Sequence, residues 1–278
     1  MVSSVAEAED IVQDALLRLH DAQQKGATVE APKAYVATIT TRLAIDHLRS
    51  ARVRRETYVG EWLPEPIVGP SDIEITEDIS MAFVMVLERL SPVERAVFLL
   101  REVFDYGYDE ISGIVEKSAE NCRQIFVRAK RHVEAGKPRF EASSEKRDDL
   151  ARRFLAACQG GALDDLVQLL AADATFYGDG GGKVTAVMRP VRGRDRVARL
   201  LRGFFQKGDE MGARLRPVLV NGEPGYMAFD AADRLISVAA IDIVDGQIWA
   251  IRSVVNPDKL AHLGPLSEVT RLPARSVP

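Results

Sequence analysis

The residues best placed to do chemistry in this chain are base readers rather than nucleophiles. Between Ser118 and Arg131 the sequence SAENCRQIFVRAKR puts Asn121, Arg123, Gln124, Arg128, Lys130 and Arg131 on one side of a helical period. Cys122, Ile125, Phe126, Ala129 and Val133 recur at three- and four-residue steps on the other. Arg and Gln can bond base edges in pairs, while Lys and a helix start hold phosphates. A second basic run lies upstream: from Pro32 to Tyr58, Lys33, Arg42, Arg49, Arg52, Arg54 and Arg55 face only Asp46 and Glu56. Arginines interleaved with threonines and a nearby Tyr suit a single or melted strand. A solvated basic face is the plain alternative for either run alone. Two such runs in one chain favour nucleic acid.

Each run needs an element to position it. Tyr106–Val133 reads as two short helices joined by a tight turn. Gly107 is a start signal, with Asp109 and Glu110 in the first turn and Ile111, Ile114 and Val115 as an apolar face. The first helix breaks at Glu116-Lys117, and Ser118 caps the second. This is a helix-turn-helix with its second helix as reader. Many such turns carry Gly where Glu116 sits, and a non-Gly residue at positive φ costs about 1 kcal/mol. Pro32 opens a long helix to about Arg55, in which Tyr35, Val36, Ile39, Leu43 and Leu48 are expected to bury. Thr38, Arg42, Asp46, Arg49 and Arg52 are expected to stay exposed. Upstream, Ala6–Leu19 is amphipathic: Ile11, Ala15 and Leu19 line one face with Val12 and Leu16 beside them. Asp10, Gln13, Asp14 and Arg18 occupy the polar side.

At 278 residues, with 46% hydrophobic and 28% charged positions, the chain suits two or three folded domains. The net charge of −4 conceals the local basic patches, and it is these that attract phosphates. Cys122 and Cys158 lack metal-ligand spacing and sit in predicted helices, which fits buried thiols in a reducing cytoplasm. No apolar run approaches the ~18 residues of a membrane span, and no signal peptide is visible. No metal site and no cofactor are expected.

Val59–Ser80 reads as a linker, broken by Trp62-Leu63-Pro64-Glu65-Pro66 and Gly69-Pro70-Ser71-Asp72. Trp62 and Leu63, taken as exposed, mark a docking point, unless Trp62 merely covers the end of the first domain. Ile79–Leu90 forms a helix and Ser91-Pro92-Val93-Glu94 starts another through a capping box, completing a four-helix domain with the helix-turn-helix. From about Ser144 the texture changes. Helices at Leu150–Cys158 and Leu163–Leu170 precede a strand at Ala174–Tyr177, then a helix at Arg194–Gln206. Strands at Leu215–Val220, Tyr226–Phe229, Leu235–Val244 and Ile248–Val255 follow, with turns at Asn221-Gly222 and Asp245-Gly246. The expected fold is multidomain: two all-α domains, then an α+β cone with a curved antiparallel sheet.

Catalysis in that last domain would fall to Asp179, Asp230 or Asp242, with Tyr177 as donor. Only His262 of the four histidines lies there, and no Ser-His-Asp or Cys-His set can be assembled. The glycines of Asp179-Gly180-Gly181-Gly182-Lys183 lack P-loop spacing and read better as a tight turn that packs against another domain. The chain is read as a non-enzyme.

AEDIVQDALLRL, PKAYVATITTRLAIDHLRSARVRRETY and the helix-turn-helix, in that order, resemble a bacterial extracytoplasmic-function sigma factor. WLPEP (62–66), DGGGK (179–183) and NPDKL (256–260) resemble markers of the group with a fused SnoaL-like, NTF2-like carboxy-terminal domain. The resemblance implies residues 1–58 as sigma region 2, 59–80 as linker, 81–135 as region 4, 144–266 as a regulatory domain and 267–278 as tail. Family members usually carry another helix ahead of SVAEAED, so region 2 is expected to be short at its start. The implied partners are RNA polymerase core, through Asp10, Gln13, Asp14 and Arg18, and promoter DNA. Lys33, Thr38, Arg42, Asp46, Arg49 and Arg52 would meet the melted −10 strand. Ser118, Asn121, Arg123, Gln124, Arg128 and Arg131 would meet the −35 duplex. Trp62, Leu63, Pro64, Glu65 and Pro66 would dock on Asp179, Gly180, Gly181, Gly182 and Lys183 and on Asn256, Pro257, Asp258, Lys259 and Leu260, modulating activity in cis. Two alternatives stay open: a small-molecule sensor or SnoaL-like enzyme with helical DNA-binding attachments, and a repressor using only the helix-turn-helix. A small-molecule ligand of the last domain is likewise open.

Overall fold

The computed structural model describes residues 1–2, 4–26, 29, 31–55, 58–69, 81–136, 144–160 and 163–268. The expectations for 70–80, including the Pro70-Ser71-Asp72 break and the start of the Ile79 helix, lie outside them, as does the end of the tail. The described chain forms two compact units, one of residues 1–57 and 83–137 and one of residues 58–82 and 138–278. None of its described helices is long and apolar enough to cross a membrane.

The first unit is helical. Helix α1 (Val5–Gln24) is capped by the Ser4 hydroxyl, which accepts from the Glu7 amide at 3.4 Å. Helix α2 is Pro32–Arg55, and α3 is Met81–Glu88. Helix α4 (Pro92–Glu102) starts on the expected capping box: Glu94 N–H donates to Ser91 Oγ (3.3 Å) and Ser91 N–H to Glu94 Oε2 (3.0 Å). That reciprocal bonding satisfies donors which the helix start would otherwise leave bare. Helices α5 (Tyr108–Val115) and α6 (Ala119–Gly136) form the hairpin. One core joins Ile45 of α2 to Ala96, Val97 and Leu100 of α4, Ile111, Ile114 and Val115 of α5, and Cys122 and Ile125 of α6. A second joins Phe83, Val86, Leu87 and Leu90 to Phe98, Ala129 and Val133. On α2 the burial falls later than expected: Ala44, Ile45 and Leu48 are buried, whereas Tyr35, Val36, Ile39 and Leu43 remain partly exposed.

In the second unit, α7 (Ser144–Gly160), α8 (Leu163–Leu169) and α9 (Arg194–Glu210) cover one face of a seven-stranded sheet. Its strands are β1 (Val68–Gly69), β2 (Leu170–Asp179), β3 (Val191–Arg192), β4 (Arg214–Val220), β5 (Glu223–Phe229), β6 (Leu235–Val244) and β7 (Gln247–Val254), in the order β1-β4-β5-β6-β7-β2-β3. Phe154, Leu166, Leu170, Leu201, Ile241, Ile243, Ile248 and Ile251 fill the core beneath the helices. The β4–β5 and β6–β7 hairpins turn at Asn221-Gly222 (φ 53° and 79°) and Asp245-Gly246 (φ 49° and 72°), the paired positive φ that a two-residue turn requires. The sheet is mixed and not purely antiparallel, because β2 runs parallel to β7. Hairpin turns dictate direction only for β4 to β7. Strand β2 enters after helices with no such turn, so its direction is set by packing. Two further elements close the domain, α10 (Pro257–Leu260) and a 3₁₀ turn at Ala261–Leu263. Ser267, placed by its sequence in the tail, is buried: its amide donates to the Leu235 carbonyl (2.8 Å) and its hydroxyl to Asp230 Oδ2 (2.7 Å).

Candidate functional site

On α1, Asp10, Gln13, Asp14 and Arg18 are all exposed. Beside them Val12, Leu16 and Leu17 are 46%, 52% and 54% exposed, so the outward face is amphipathic rather than polar. Only Ile11 and Ala15 of the expected stripe are buried, because α2 is the neighbour that α1 packs on. Such an exposed apolar strip rimmed by charge fits a protein partner.

On α6 the predicted readers separate from the core as expected. Asn121, Arg123, Gln124, Arg128 and Arg131 are exposed, while Cys122, Ala129 and Val133 are buried. Ser118 Oγ accepts from the Asn121 amide at 3.2 Å and so fixes the helix start. Arg123 leans on Glu120 (2.8 Å) and over the Tyr108 ring (5.1 Å), which holds its guanidinium without enclosing it. Glu116 takes the left-handed conformation (φ 55°, ψ 49°) that the turn demands.

The predicted α2 readers are less uniform. Lys33, Asp46 and Arg49 are exposed, with Arg49 bonded to Asp46 at 3.1 Å. Thr38 turns its hydroxyl back to the Ala34 carbonyl (2.8 Å). The side chain of Arg52 is outside the described residues. Arg42 is engaged: it donates to the carbonyls of Ile114 (3.0 Å) and Gly113 (2.8 Å) and pairs with Glu116 (3.2 Å). A cation at the carbonyl end of a short helix is electrostatically favoured, so α5 holds a side chain that DNA would also attract.

The linker is the most elaborately bonded segment of the second unit. Leu63, Pro64, Glu65 and Pro66 are buried, which corrects the expected exposure of Leu63, and the Trp62 ring lies under the Lys259 ammonium. At the centre is Asp179, fully buried. Its carboxylate accepts from the Leu63 amide (2.8 Å), the Tyr58 hydroxyl (2.5 Å), the Gly181 amide (3.0 Å) and the Lys259 ammonium (2.7 Å). Lys259 also donates to the Leu63 carbonyl and lies 4.2 Å over the Trp62 ring. Asn256 donates to the Tyr58 oxygen (2.8 Å) and caps α10 through the Asp258 amide (3.1 Å). Burial, then the bond to Asp179, pushes the Tyr58 phenol well above its ordinary value, so it stays a donor. Gly181 and Gly182 have φ of 59° and 70°, and a Cβ on them would sit 2.4 Å from Asn256 Nδ2 and 2.9 Å from Val59 Cβ. Lys183 pairs with Asp258. Further along, His262 meets Glu65 (2.9 Å) and the Pro66 carbonyl (3.2 Å), Ile67 and Asn221 exchange bonds, and β1 pairs with β4. WLPEP, DGGGK and NPDKL therefore form one clasp. Tyr58, Asn221 and His262 belong to it too, and no local pattern in the sequence pointed to them.

The residues considered for catalysis do not converge. Asp179 holds the linker. Asp230 caps its own turn, where the Ser267 hydroxyl and the Arg234 amide hold its carboxyl down to about 2. Asp242 is paired with Arg252, whose guanidinium lies 5.2 Å from the Tyr177 ring. Among the described residues, no cluster of His, Cys, Asp and Glu could hold a metal.

Family models match three segments of the chain. Sigma-70 region 2 matches residues 1–54, sigma-70 region 4 residues 80–133, and the SnoaL-like domain residues 151–251. The ECF RNA polymerase sigma factor SigJ of Mycobacterium tuberculosis is 36% identical, over 96% of this chain and 89% of its own length. A probable ECF sigma factor of the same organism, SigI, is 31% identical over 95% and 89%. The crystal structure of SigJ superposes with a TM-score of 0.75 at 33% identity, covering 96% of this chain and 93% of that one. This chain belongs to the extracytoplasmic-function sigma factors that carry a SnoaL-like carboxy-terminal domain, non-enzymatic proteins that bind RNA polymerase core and promoter DNA to direct promoter-specific transcription initiation.

Proposed function

We propose that this sigma factor uses three surfaces in sequence and that its last domain governs them in cis. Residues 1–58 dock on core polymerase through Asp10, Gln13, Asp14 and Arg18, with Leu16 and Leu17 adding apolar area. Lys33, Thr38, Asp46, Arg49 and Arg52, joined by Arg42 once α5 releases it, take the melted −10 strand. Residues 81–135 read the −35 duplex through Ser118, Asn121, Arg123, Gln124, Arg128 and Arg131. Residues 59–80 tether the two readers, and residues 144–266 act on that tether in the cytoplasm, responding to a small molecule.

The observation that carries the cis reading is the Asp179 clasp, which takes Tyr58–Gly69 out of the free tether between the two DNA-reading segments. A covalently attached domain acts at an effective concentration that reaches millimolar, so modest contacts suffice. The test is run-off transcription with core polymerase on a promoter library, comparing the native chain with Asp179→Asn and Arg123→Ala. Asp179→Asn is expected to change output severalfold without altering the preferred −35 sequence. Arg123→Ala is expected to relax one −35 position. Equal output and equal preferences in all three would refute the proposal.

A further inference from the structure

The SnoaL-like domain encloses a cavity of about 870 Å³ between α9 and the helix-covered face of the sheet. Small-molecule sites commonly fall in the range of about 300–1,000 Å³. Its walls are apolar and aromatic, with Phe176, Phe204, Phe205, Val187, Leu215 and Ile236 among them. Beside the exposed Thr185, three strand-borne hydroxyls interrupt that wall. Tyr226, Ser237 and Ser253 line the cavity at 5%, 8% and 9% exposure. They come from three neighbouring strands. Tyr226 pairs with Ala239 and Ala239 with Ser253, while Ser237 pairs with Ala228, so all three point to one sheet face in adjacent rows. Their hydroxyls make no hydrogen bond within the described protein. Burial pushes the Tyr226 phenol up, so it remains a neutral donor.

Buried hydroxyls without partners are uncommon, and the other charged groups buried in this domain are paired: Asp179 with Lys259, Asp230 with Arg234, Asp242 with Arg252, Arg147 with Glu223. The Tyr226, Ser237 and Ser253 hydroxyls all line the same void. At its mouth, Arg202 and Lys207 are exposed and have no ion-pair partner among the described residues, whereas Arg214 is tied to Asp233 (3.3 Å). Asp209 is the one carboxylate on the rim. The Asp179, Asp230 and Asp242 carboxylates are committed elsewhere.

We infer that this cavity is a binding site for an apolar, ring-sized organic acid with a second oxygen function, its carboxylate at Arg202 and Lys207 and its other oxygen among the Tyr226, Ser237 and Ser253 hydroxyls. The inference deepens the reading of the last domain as ligand-responsive. Its test measures binding without transcription, so failure here is distinguishable from failure of promoter control.

The experiment titrates the full chain with the fluorescent anion 8-anilinonaphthalene-1-sulfonate. It then displaces the dye with 6-hydroxy-2-naphthoate, 2-naphthoate, and 2-naphthylmethylammonium. The hydroxy acid is expected to compete best and the cation worst. Tyr226→Phe should weaken the hydroxy acid by roughly threefold to tenfold, the effect of one lost hydrogen bond, and leave 2-naphthoate unchanged. Replacing Arg202 and Lys207 together by Gln should weaken both acids alike. Ala228→Trp, which fills the void, should abolish displaceable binding; Tyr226→Phe, which removes only an oxygen, keeps the test valid if the Trp variant does not fold. Equal competition by the cation, an unchanged preference for the hydroxy acid in Tyr226→Phe, or dye binding that survives in a folded Ala228→Trp would overturn the inference.

Discussion

Replacing Asp179 by Asn tests the clasp at its centre. The native carboxylate has two oxygens and four donors, one of them the Lys259 ammonium, and is fully buried, while the Lys259 side chain is only 13% exposed. Asparagine keeps one acceptor, points an amide N–H₂ at groups that are themselves donors, and leaves the ammonium without its counter-charge. Removing one partner of a buried pair costs roughly 3–5 kcal/mol. Lys259 keeps its place over the Trp62 ring, so the lower end applies. Because β1, Asn221 and His262 hold the linker independently, the loss is expected as local opening of Tyr58–Pro66 rather than global unfolding. About 3 kcal/mol corresponds to roughly a hundredfold faster exchange of the Leu63 amide, since each 1.4 kcal/mol is tenfold. Hydrogen exchange read by mass spectrometry measures this, with the Leu235 amide, bonded to the Pro265 carbonyl, as internal control. Lys259→Met should open the same segment. The double variant should be much less damaged than the sum of the two, because it removes both charges at once. Unchanged Leu63 protection, or strict additivity, would refute the account of the clasp as a charge-centred unit.

Gly181→Ala should lower the thermal midpoint by an amount equivalent to about 1–3 kcal/mol, since its Cβ meets the Asn256 amide that supports Tyr58; Gly246→Ala, with φ 72° but open space around it, should cost less. At the helix-turn-helix, Glu116→Gly is expected to be more stable in urea than Glu116→Val by at least about 1 kcal/mol, because a β-branched residue resists the φ of 55° found there. Asp230 supplies a pH dependence. Its folded pKa of about 2 lies below the ordinary 3.8, so its contribution is complete above about pH 4 and is lost as pH falls toward 2. Asp230→Asn should flatten the urea midpoint across that acid window, and an unchanged slope would count against the Ser267 and Arg234 bonds.

What could be read from the sequence was whatever local chemistry writes into it. Caps at Ser91 and Ser118, the Pro32 start, and the Asn-Gly and Asp-Gly turns placed most elements near their observed ends, because each satisfies backbone groups within a few residues. Strands β1 and β3 are two residues long and exist only through their partners, so no alternation could announce them. The parallel alignment of β2 with β7 was hidden for the same reason. The three motif segments of the clasp were visible, but not Tyr58, Asn221 or His262, whose roles depend on partners more than a hundred residues away. The engagement of Arg42 by carbonyls some seventy residues along was equally invisible. Ser237 and Ser253 did carry a signal: each interrupts an otherwise apolar strand face.

The first unit raises a mechanical question that the clasp helps to answer. Ile45 of α2 shares a core with the α5–α6 hairpin, and Arg42 bonds that hairpin's backbone. The two promoter elements are separated by about 25 base steps, or roughly 80 Å at 3.4 Å per step. No core a few side chains across can span that, so on the proposed function engaging both elements would require α2 to leave α5. The contact is suited to breaking. One buried isoleucine contributes about 1.5–3 kcal/mol, and an exposed ion pair such as Arg42–Glu116 contributes about 1 kcal/mol or less. The two Arg42 bonds to the Ile114 and Gly113 carbonyls add about 1.5–3 kcal/mol each, and the proposed promoter and polymerase contacts would have to exceed that sum to open the unit. How far it would then extend depends on the proposed tether, from which the Asp179 clasp would subtract Tyr58–Gly69. On the proposed function, closing of the first unit and shortening of the tether would be two restraints on one distance, and a domain that loosened the second would change how readily the first is overcome.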